Sequence, residues 1–359
     1  MPNYPTGKVL PAYRGKRLVR EEIDGVPVTR TMIVGATGRN VLKRLLSYWS
    51  FVITSFPACM RGPRPDFIFV ESPPLFLGCT AYVCSRLRRV PFILNVSDLW
   101  PESARALEIV RSNSLLWFGE RLEHFLYKKA LRITAQTDGI RTHIAAIVGA
   151  PKVMVLYNGI DTSEYRPRAD ASVPWINQQE IAFLFAGTFG YQHRWEVLLD
   201  AAELLRSRAD IVFLLVGDGP EKARLVEQAR VRGLDNLRFV ERRPANEMPA
   251  LFAASRATVV PMRRGELFKG TRPSKIFPAL ACGSPVIFSG EGESAQLLLQ
   301  NRCGIVVPPE NAQEFADAVR RLADHPEVAR ELGMNGRALV EREYGWDTLV
   351  AGWLRQLPV

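Results

Sequence analysis

A chain of 359 residues, 47% hydrophobic and 23% charged, holds more than one core, because single cores stop growing near about 250–300 residues. No apolar run reaches the roughly 18 residues that a membrane-spanning helix needs. The formal net charge is +10, and residues 1–90 carry nearly all of it, with 14 Lys and Arg against 5 Asp and Glu; a nucleic-acid partner is excluded by the absence of a binding motif or of a stacking platform among those cations.

In chain order, residues 1–25 are polar and rich in Pro and Gly, and read as loop. They lack the apolar core of a signal peptide. Residues 26–34 read as a strand. Residues 41–56 form a helix that is apolar on nearly all sides, and Pro57 is expected to end it. That helix is either buried against a sheet or interfacial, with Trp49, Phe51 and Phe56 entering lipid headgroups beside basic neighbours. A short strand follows at 66–70, then a helix from Leu75 to Arg89 whose last turn carries Arg86, Arg88 and Arg89, suited to a helix C-terminus. The strand at 91–96 delivers Ser97 and Asp98 at its C-terminal end, where ligands bind in open parallel sheets. Asp98 is therefore a candidate catalytic or acceptor-contacting carboxylate; as a purely structural residue it would cap the next helix. A helix at 114–130, a strand at 131–135, a helix through Ile147 and a strand at 153–156 complete the half.

The Pro- and charge-rich segment from Tyr165 to Pro174 reads as a linker. Beyond it the alternation resumes, with strands near 183–186, 211–216, 237–240, 257–261, 286–288 and 305–307. Helices lie between them, and three more close the chain at 314–322, 328–342 and 346–357. Strand–helix alternation in both halves predicts two doubly wound α/β domains. The five cysteines, at 59, 79, 84, 282 and 303, form no CxxC pair and read as reduced, buried thiols of a cytoplasmic protein.

Residues 262–299 stand out. Arg263, Arg264, Lys269, Arg272 and Lys275 crowd one loop, and Gly290-Glu291-Gly292-Glu293-Ser294 turns a strand into a helix. Cations and a Gly-rich turn at a helix N-terminus make an anion site of the kind a nucleotide diphosphate uses; the plain alternative is an ordinary αβα unit with a solvated basic loop.

Four segments in register, YNGIDTSEYRP (157–167), FAGTFG (185–190), VGDGPEKARL (216–225) and PSKIFPALACGSPVI (273–287), resemble the retaining glycosyltransferases of family 4. SDLWPESA (97–104) and VESPPLFLG (70–78) are similar to the bacterial subgroup that builds capsule, O-antigen and exopolysaccharide, including fucosamine transferases. The resemblance implies a GT-B fold, two Rossmann-like domains facing a cleft. Residues 1–168 would bind the acceptor, 169–343 the nucleotide-sugar, and 344–359 would form a helix crossing back to the first domain. It implies metal-free transfer with retention, no cofactor, a nucleotide-sugar donor that is most often UDP-linked in this family, and a lipid-linked or saccharide acceptor at the inner face of the cell membrane, with peripheral contact to anionic lipid. Lys275 and Arg272, with Arg194 and Arg263 behind them, would neutralise the diphosphate. Gly187, Gly190, Gly217, Gly290, Glu291, Gly292 and Ser294 would shape the donor site, and Glu293 would contact a hydroxyl.

The chain departs from that family in three ways. Its two usual Glu residues align with Gly270 and Pro278, neither acidic, which leaves Glu266, Glu291 or Glu293 to substitute. After the strand at 183–186 only Arg194 keeps positive charge. The strand, Gly-rich loop, helix and second strand with which the family opens, ahead of the equivalent of Asn3-Tyr4-Pro5, are not found, so an incomplete first domain is expected. These departures favour a degenerate nucleotide-sugar-binding protein as the rival function, with a GT-B sugar-nucleotide epimerase as a third.

Overall fold

The computed structural model describes residues 1–2, 7–35, 41–107, 110, 112–168 and 171–357, without the side chains of Val41, Leu42 and Arg44. Ala169 and Asp170, inside the expected linker, and residues 3–6, inside the expected opening loop, lie outside the described residues. The chain divides into two compact units, Met1–Val155 and Leu156–Val359.

The first unit opens with a hairpin that the sequence reading took for loop and a single strand. β1 (Leu18–Ile23) pairs antiparallel with β2 (Val26–Thr31). Asp24 and Gly25 join them with φ of 50° and 78°, the left-handed pair that a two-residue turn matching strand twist requires. The helix α1 (Val41–Arg61) does not stop at Pro57 but runs one turn further. Its C-terminal end is held from outside: Arg88 donates to the carbonyls of Cys59, Gly62 and Pro63, so tertiary bonds outweigh the one backbone bond that Pro57 lacks. A parallel four-stranded sheet follows in the order β3 (Ile68–Ser72), β4 (Phe92–Val96), β5 (Arg132–Ala135) and β6 (Val153–Val155). The connections carry α2 (Leu77–Arg88), α3 (Glu102–Ala106), α4 (Asn113–Lys129) and α5 (Asp138–Val148). Thr137 caps α5 by accepting from the Ile140 N–H at 3.1 Å.

The second unit is built on six parallel strands in the order β12-β11-β10-β7-β8-β9. These are β7 (Ile181–Thr188), β8 (Ile211–Asp218), β9 (Leu237–Val240), β10 (Ala257–Pro261), β11 (Val286–Ser289) and β12 (Gly304–Val307). The chain winds outward from β7 in one direction and from β10 in the other, so the order reverses between them. Both faces are buried, as a parallel sheet demands. Phe183, Phe185, Phe213 and Leu215 pack with α6 (Trp195–Leu204), α7 (Lys222–Arg232) and α12 (Ala312–Asp324). Leu184, Ala186, Leu214 and Val216 pack with α8 (Met248–Ala254), α10 (Ile276–Ala281) and α11 (Glu293–Gln300) on the other face. The period-2 alternation of the strands sets this division, and each fully buried Phe or Leu contributes about 2 kcal/mol. The basic loop contains a short helix, α9 (Glu266–Lys269). α13 (Pro326–Leu339), a π-helical turn at Val340–Tyr344 and α14 (Trp346–Leu354) close the chain. The segment after β6 belongs with them. Ile160 bridges Gly345, and Arg337 donates to the carbonyls of Thr162 and Tyr165 at 3.0 and 2.6 Å. No helix among the described residues is long and apolar enough to cross a membrane.

Candidate functional site

In a doubly wound sheet the ligand crevice opens at the C-terminal ends of the strands where the order reverses. Here that point is the pair β7 and β10, whose ends are Gly187-Thr188 and Val260-Pro261. Three side chains meet there. His193 follows the turn after β7 and is 1% exposed. Its Nδ1 lies 3.2 Å from the Pro261 carbonyl and its Nε2 lies 3.3 Å from Lys275 Nζ. A carbonyl only accepts, so Nδ1 carries the proton and the Nε2 lone pair accepts from the ammonium. Burial, and next the Lys275 charge, push the His193 pKa well below its ordinary value, which keeps the ring neutral.

Lys275 stands just before α10 and also lies over the Phe185 ring, 5.0 Å from its centroid. Burial lowers its pKa to about 8. No carboxylate lies within ion-pairing reach of it among the described residues. Gly187 supplies the room: a Cβ there would sit 3.3 Å from Lys275 Cε. The neighbouring Gly217 has φ 143°, and a Cβ on it would fall 1.9 Å from the Gly187 carbonyl oxygen. Only glycine lets β7 and β8 end this close together. Beneath the site Phe185, Phe189 and Trp195 interlock, with Phe189 stacked on Trp195 at 5.0 Å and Phe185 edge-on at 4.7 Å.

The other expected donor-site residues fall into two groups. Arg194, at the start of α6, lies 3.7 Å from Glu196 and 3.8 Å from Glu310, and is loosely paired and open to solvent. Gly190 sits where the Gln192 side chain fills the space a Cβ would need. The Phe189 and Gly190 N–H groups donate inward, to the Asp218 and Thr188 carbonyls, at 2.9 Å each. The Gly290 N–H likewise donates to Val307. The Phe189, Gly190 and Gly290 N–H groups therefore have backbone partners of their own. Gly292, with φ 83°, lies so close to the Lys269 backbone that a Cβ would fall 2.1 Å from its carbonyl oxygen. Glu293 then opens α11, whose first N–H groups have no partner within the helix. Ser294 is buried and donates to the Thr271 carbonyl at 2.9 Å. Glu291 lies 3.9 Å from Lys269, which pairs at 2.6 Å with Glu266.

Arg272 and Glu293 face each other. Arg272 Nε donates to Glu293 Oε2 at 2.9 Å, and a second guanidinium nitrogen donates to the Tyr344 hydroxyl at 3.2 Å. The guanidinium also lies over the Tyr157 ring, 4.4 Å from its centroid. This pair ties the basic loop to α11, to the π-helical turn before α14 and to the segment after β6. Arg263 Nε reaches the His193 carbonyl at 3.5 Å. Pro278 lies inside α10 and Gly270 ends α9.

In the first unit Asp98 lies just past the C-terminal end of β4, as expected. Its carboxylate accepts from the Ser103 hydroxyl, and burial raises its pKa. It does not cap α3; Pro101 holds the N-cap position. Beside it is a network the sequence reading missed. Glu71, at the end of β3, accepts from Asn95 and Ser97 at the end of β4. The register pairs Glu71 with Asn95, so two polar residues at matched strand ends were the available signal. His193 was missed as well. Its signal was a histidine directly behind a glycine turn at a strand end.

Comparison with known proteins agrees with this architecture. Residues 9–159 match the family described as "Glycosyl transferase 4-like domain", and residues 180–325 match "Glycosyl transferases group 1". The chain is 27% identical over 349 residues to WcaI of Escherichia coli (strain K12), described as a colanic acid biosynthesis glycosyl transferase; the match spans 92% of this chain and 85% of that one. It is 29% identical over 236 residues to the D-rhamnosyltransferase WbpZ of Pseudomonas aeruginosa, spanning 64% of this chain and 60% of that one. In fold it is similar to the sucrose-phosphate synthase of Thermosynechococcus elongatus, with a TM-score of 0.77 at 21% identity, covering 96% of this chain and 86% of that one. It is also similar to Anabaena Alr3699/HepE in complex with UDP-glucose, with a TM-score of 0.70 at 18% identity, covering 89% and 85%. The two family matches, one in each half, and the two parallel-sheet units make this chain a member of the group 1, family-4-like glycosyltransferases of GT-B fold.

Proposed function

We propose that this chain transfers a sugar from a UDP-linked donor to a saccharide or lipid-linked acceptor in bacterial surface polysaccharide synthesis, with retention and without a bound metal. The observation that carries the reading is Lys275. It is a sunken ammonium at the strand-order reversal, with an imidazole and an aromatic ring for neighbours and no carboxylate. A cation kept without a counter-ion is suited to an anion that the ligand brings. As the bond from the anomeric carbon to the diphosphate breaks, negative charge grows on the departing phosphate. Lys275, Arg194 and the first turn of α11 stabilise that charge. Asp98 serves the acceptor side, where a carboxylate with a raised pKa is suited to proton exchange with a hydroxyl. The colanic acid biosynthesis in the description of WcaI supports the polysaccharide setting. A lipid-linked acceptor would bring the protein to an anionic membrane surface.

One observation favours the rival reading, a nucleotide-sugar binder without turnover. Pro278 and Gly270 supply no carboxylate, and Glu293 is engaged by Arg272. Thermal unfolding with UDP and a panel of UDP-sugars, followed by a transfer assay on the stabilising donor, separates the two. We expect UDP to raise the midpoint with concentration and Lys275→Ala to lower turnover by about 10²-fold while the protein stays folded. Binding without transfer supports the rival; no stabilisation by any nucleotide overturns both.

A further inference from the structure

α4 has two unlike faces. Leu116, Gly119, Glu123, Leu126 and Tyr127 are buried against the first unit. Gly119 lets the helix sit close, since a Cβ there would lie 3.2 Å from both Trp100 and Pro101. The opposite face is exposed and carries Trp117 (57% exposed), Phe118 (51%) and Phe125 (40%). At helical spacing the exposed cations Arg121, Lys128 and Lys129 share that face. None of the three has a carboxylate partner among the described residues. Two of them rest on aromatic rings instead: Arg121 over Trp117 at 5.1 Å and Lys129 over Phe125 at 5.9 Å. Glu120, on the same helix, is taken by Arg105.

Three large aromatics left in water, interleaved with three unpaired cations, form a face matched in charge to an anionic lipid surface. Rings of this kind settle at headgroup level, and each Lys or Arg adds attraction to anionic headgroups. The helix expected to do this from sequence, α1, exposes Leu46, Trp49 and Ile53, but its cations, Lys43 and Arg44 in the first turn and Arg61 in the last, sit at its two ends and not among those residues. Arg88 of α2 also pins its far end.

We propose that the exposed face of α4 docks the protein on an anionic phospholipid surface, with Trp117, Phe118 and Phe125 entering the headgroup layer and Arg121, Lys128 and Lys129 meeting the phosphates. This rests on the reading that the acceptor is presented at a membrane, and it names the element that reaches it. Nothing in it depends on the donor site.

The test is co-sedimentation of the full chain with vesicles of phosphatidylcholine alone or mixed with phosphatidylglycerol. Two variants are compared, Arg121→Gln with Lys128→Gln and Lys129→Gln, and Trp117→Ser with Phe118→Ser and Phe125→Ser. Circular dichroism, thermal unfolding and UDP binding report whether each variant is folded. The wild type is expected to bind only the phosphatidylglycerol vesicles. The charge variant is expected to bind about a hundredfold more weakly, at about fivefold per cation. The aromatic variant is expected to bind at low salt and release at high salt, because its remaining attraction is screened. Wild type that ignores phosphatidylglycerol overturns the proposal. So does either folded variant binding as the wild type does, or a dimer that both variants abolish, which would make a second copy the occupant. Transfer to a water-soluble acceptor is measured alongside. If docking holds and transfer is absent, the transferase reading fails and the docking face stands.

Discussion

At the scale of single residues the account turns on how one imidazole holds one ammonium. Pro261 fixes the His193 tautomer, and that tautomer turns the Nε2 lone pair to Lys275 at 3.3 Å, with the Gln192 amide farther off at 3.5 Å. His193→Leu removes the acceptor and keeps the bulk, so diphosphate affinity should fall about tenfold while nucleoside affinity holds; calorimetric titration with UDP and with uridine reads the difference. The two groups also set opposite pH limits. The pKa of His193 is lowered on folding, so the unfolded chain binds its proton first as pH falls. Stability from this site is therefore complete above the ordinary histidine pKa and is lost as pH drops below it. Lys275 is lowered to about 8, so at neutral pH its charge costs stability. That cost is relieved as pH rises from about 8 toward the ordinary lysine value. Urea midpoints of wild type and Lys275→Met across this range should converge as pH rises. A gap that stays constant would mean that Lys275 titrates normally.

At the scale of elements, the end of β8 is a packing constraint as much as a binding surface. Gly217→Ala pushes a methyl into the Gly187 carbonyl, so it should cost about 3 kcal/mol and weaken UDP binding together; unfolding and titration on one sample check both. The Arg272–Glu293 pair joins the basic loop to α11 with side chains only 11% and 15% exposed. Arg272→Ala takes the guanidinium away from a nearly buried carboxylate and should cost about 3 kcal/mol, and adding Glu293→Gln should recover part of it. A double-mutant cycle in urea with no coupling would show that the pair contributes nothing. The elements also show what a sequence yields. The strands of the second unit were readable because a fully buried parallel strand is a short apolar run between turns, as in β7 and β8. The hairpin was not. β1 is charged and mostly exposed, so no periodicity marks it, and only Asp24-Gly25 signalled the turn. The end of α1 was not readable either, because it is fixed by Arg88, 27 positions beyond Arg61 in the sequence.

At the scale of the whole molecule, the sequence singled out residues 262–299, and the contacts group the residues of that stretch differently from what their spacing suggests. Lys275, Gly187 and Gly217 come together at the β7–β10 reversal. Arg272 and Glu293 engage each other, a long-range pairing that no local spacing announces. The charge bias of residues 1–90 pointed to an anionic surface, yet the face best built for one is on α4, beyond that stretch, where cations and aromatics share a helix side. Net charge reports an attraction; only packing reports which side of a helix is left to use it. The central claim is that Lys275, held by His193, receives the diphosphate of a nucleotide-sugar. Isothermal titration of UDP at pH 7 and pH 9.5, on wild type and Lys275→Met, tests it most directly. The account predicts that wild-type affinity falls about tenfold or more across that span, while the variant binds weakly at both values and shows no such fall. Equal affinity for wild type and variant at both pH values would contradict it.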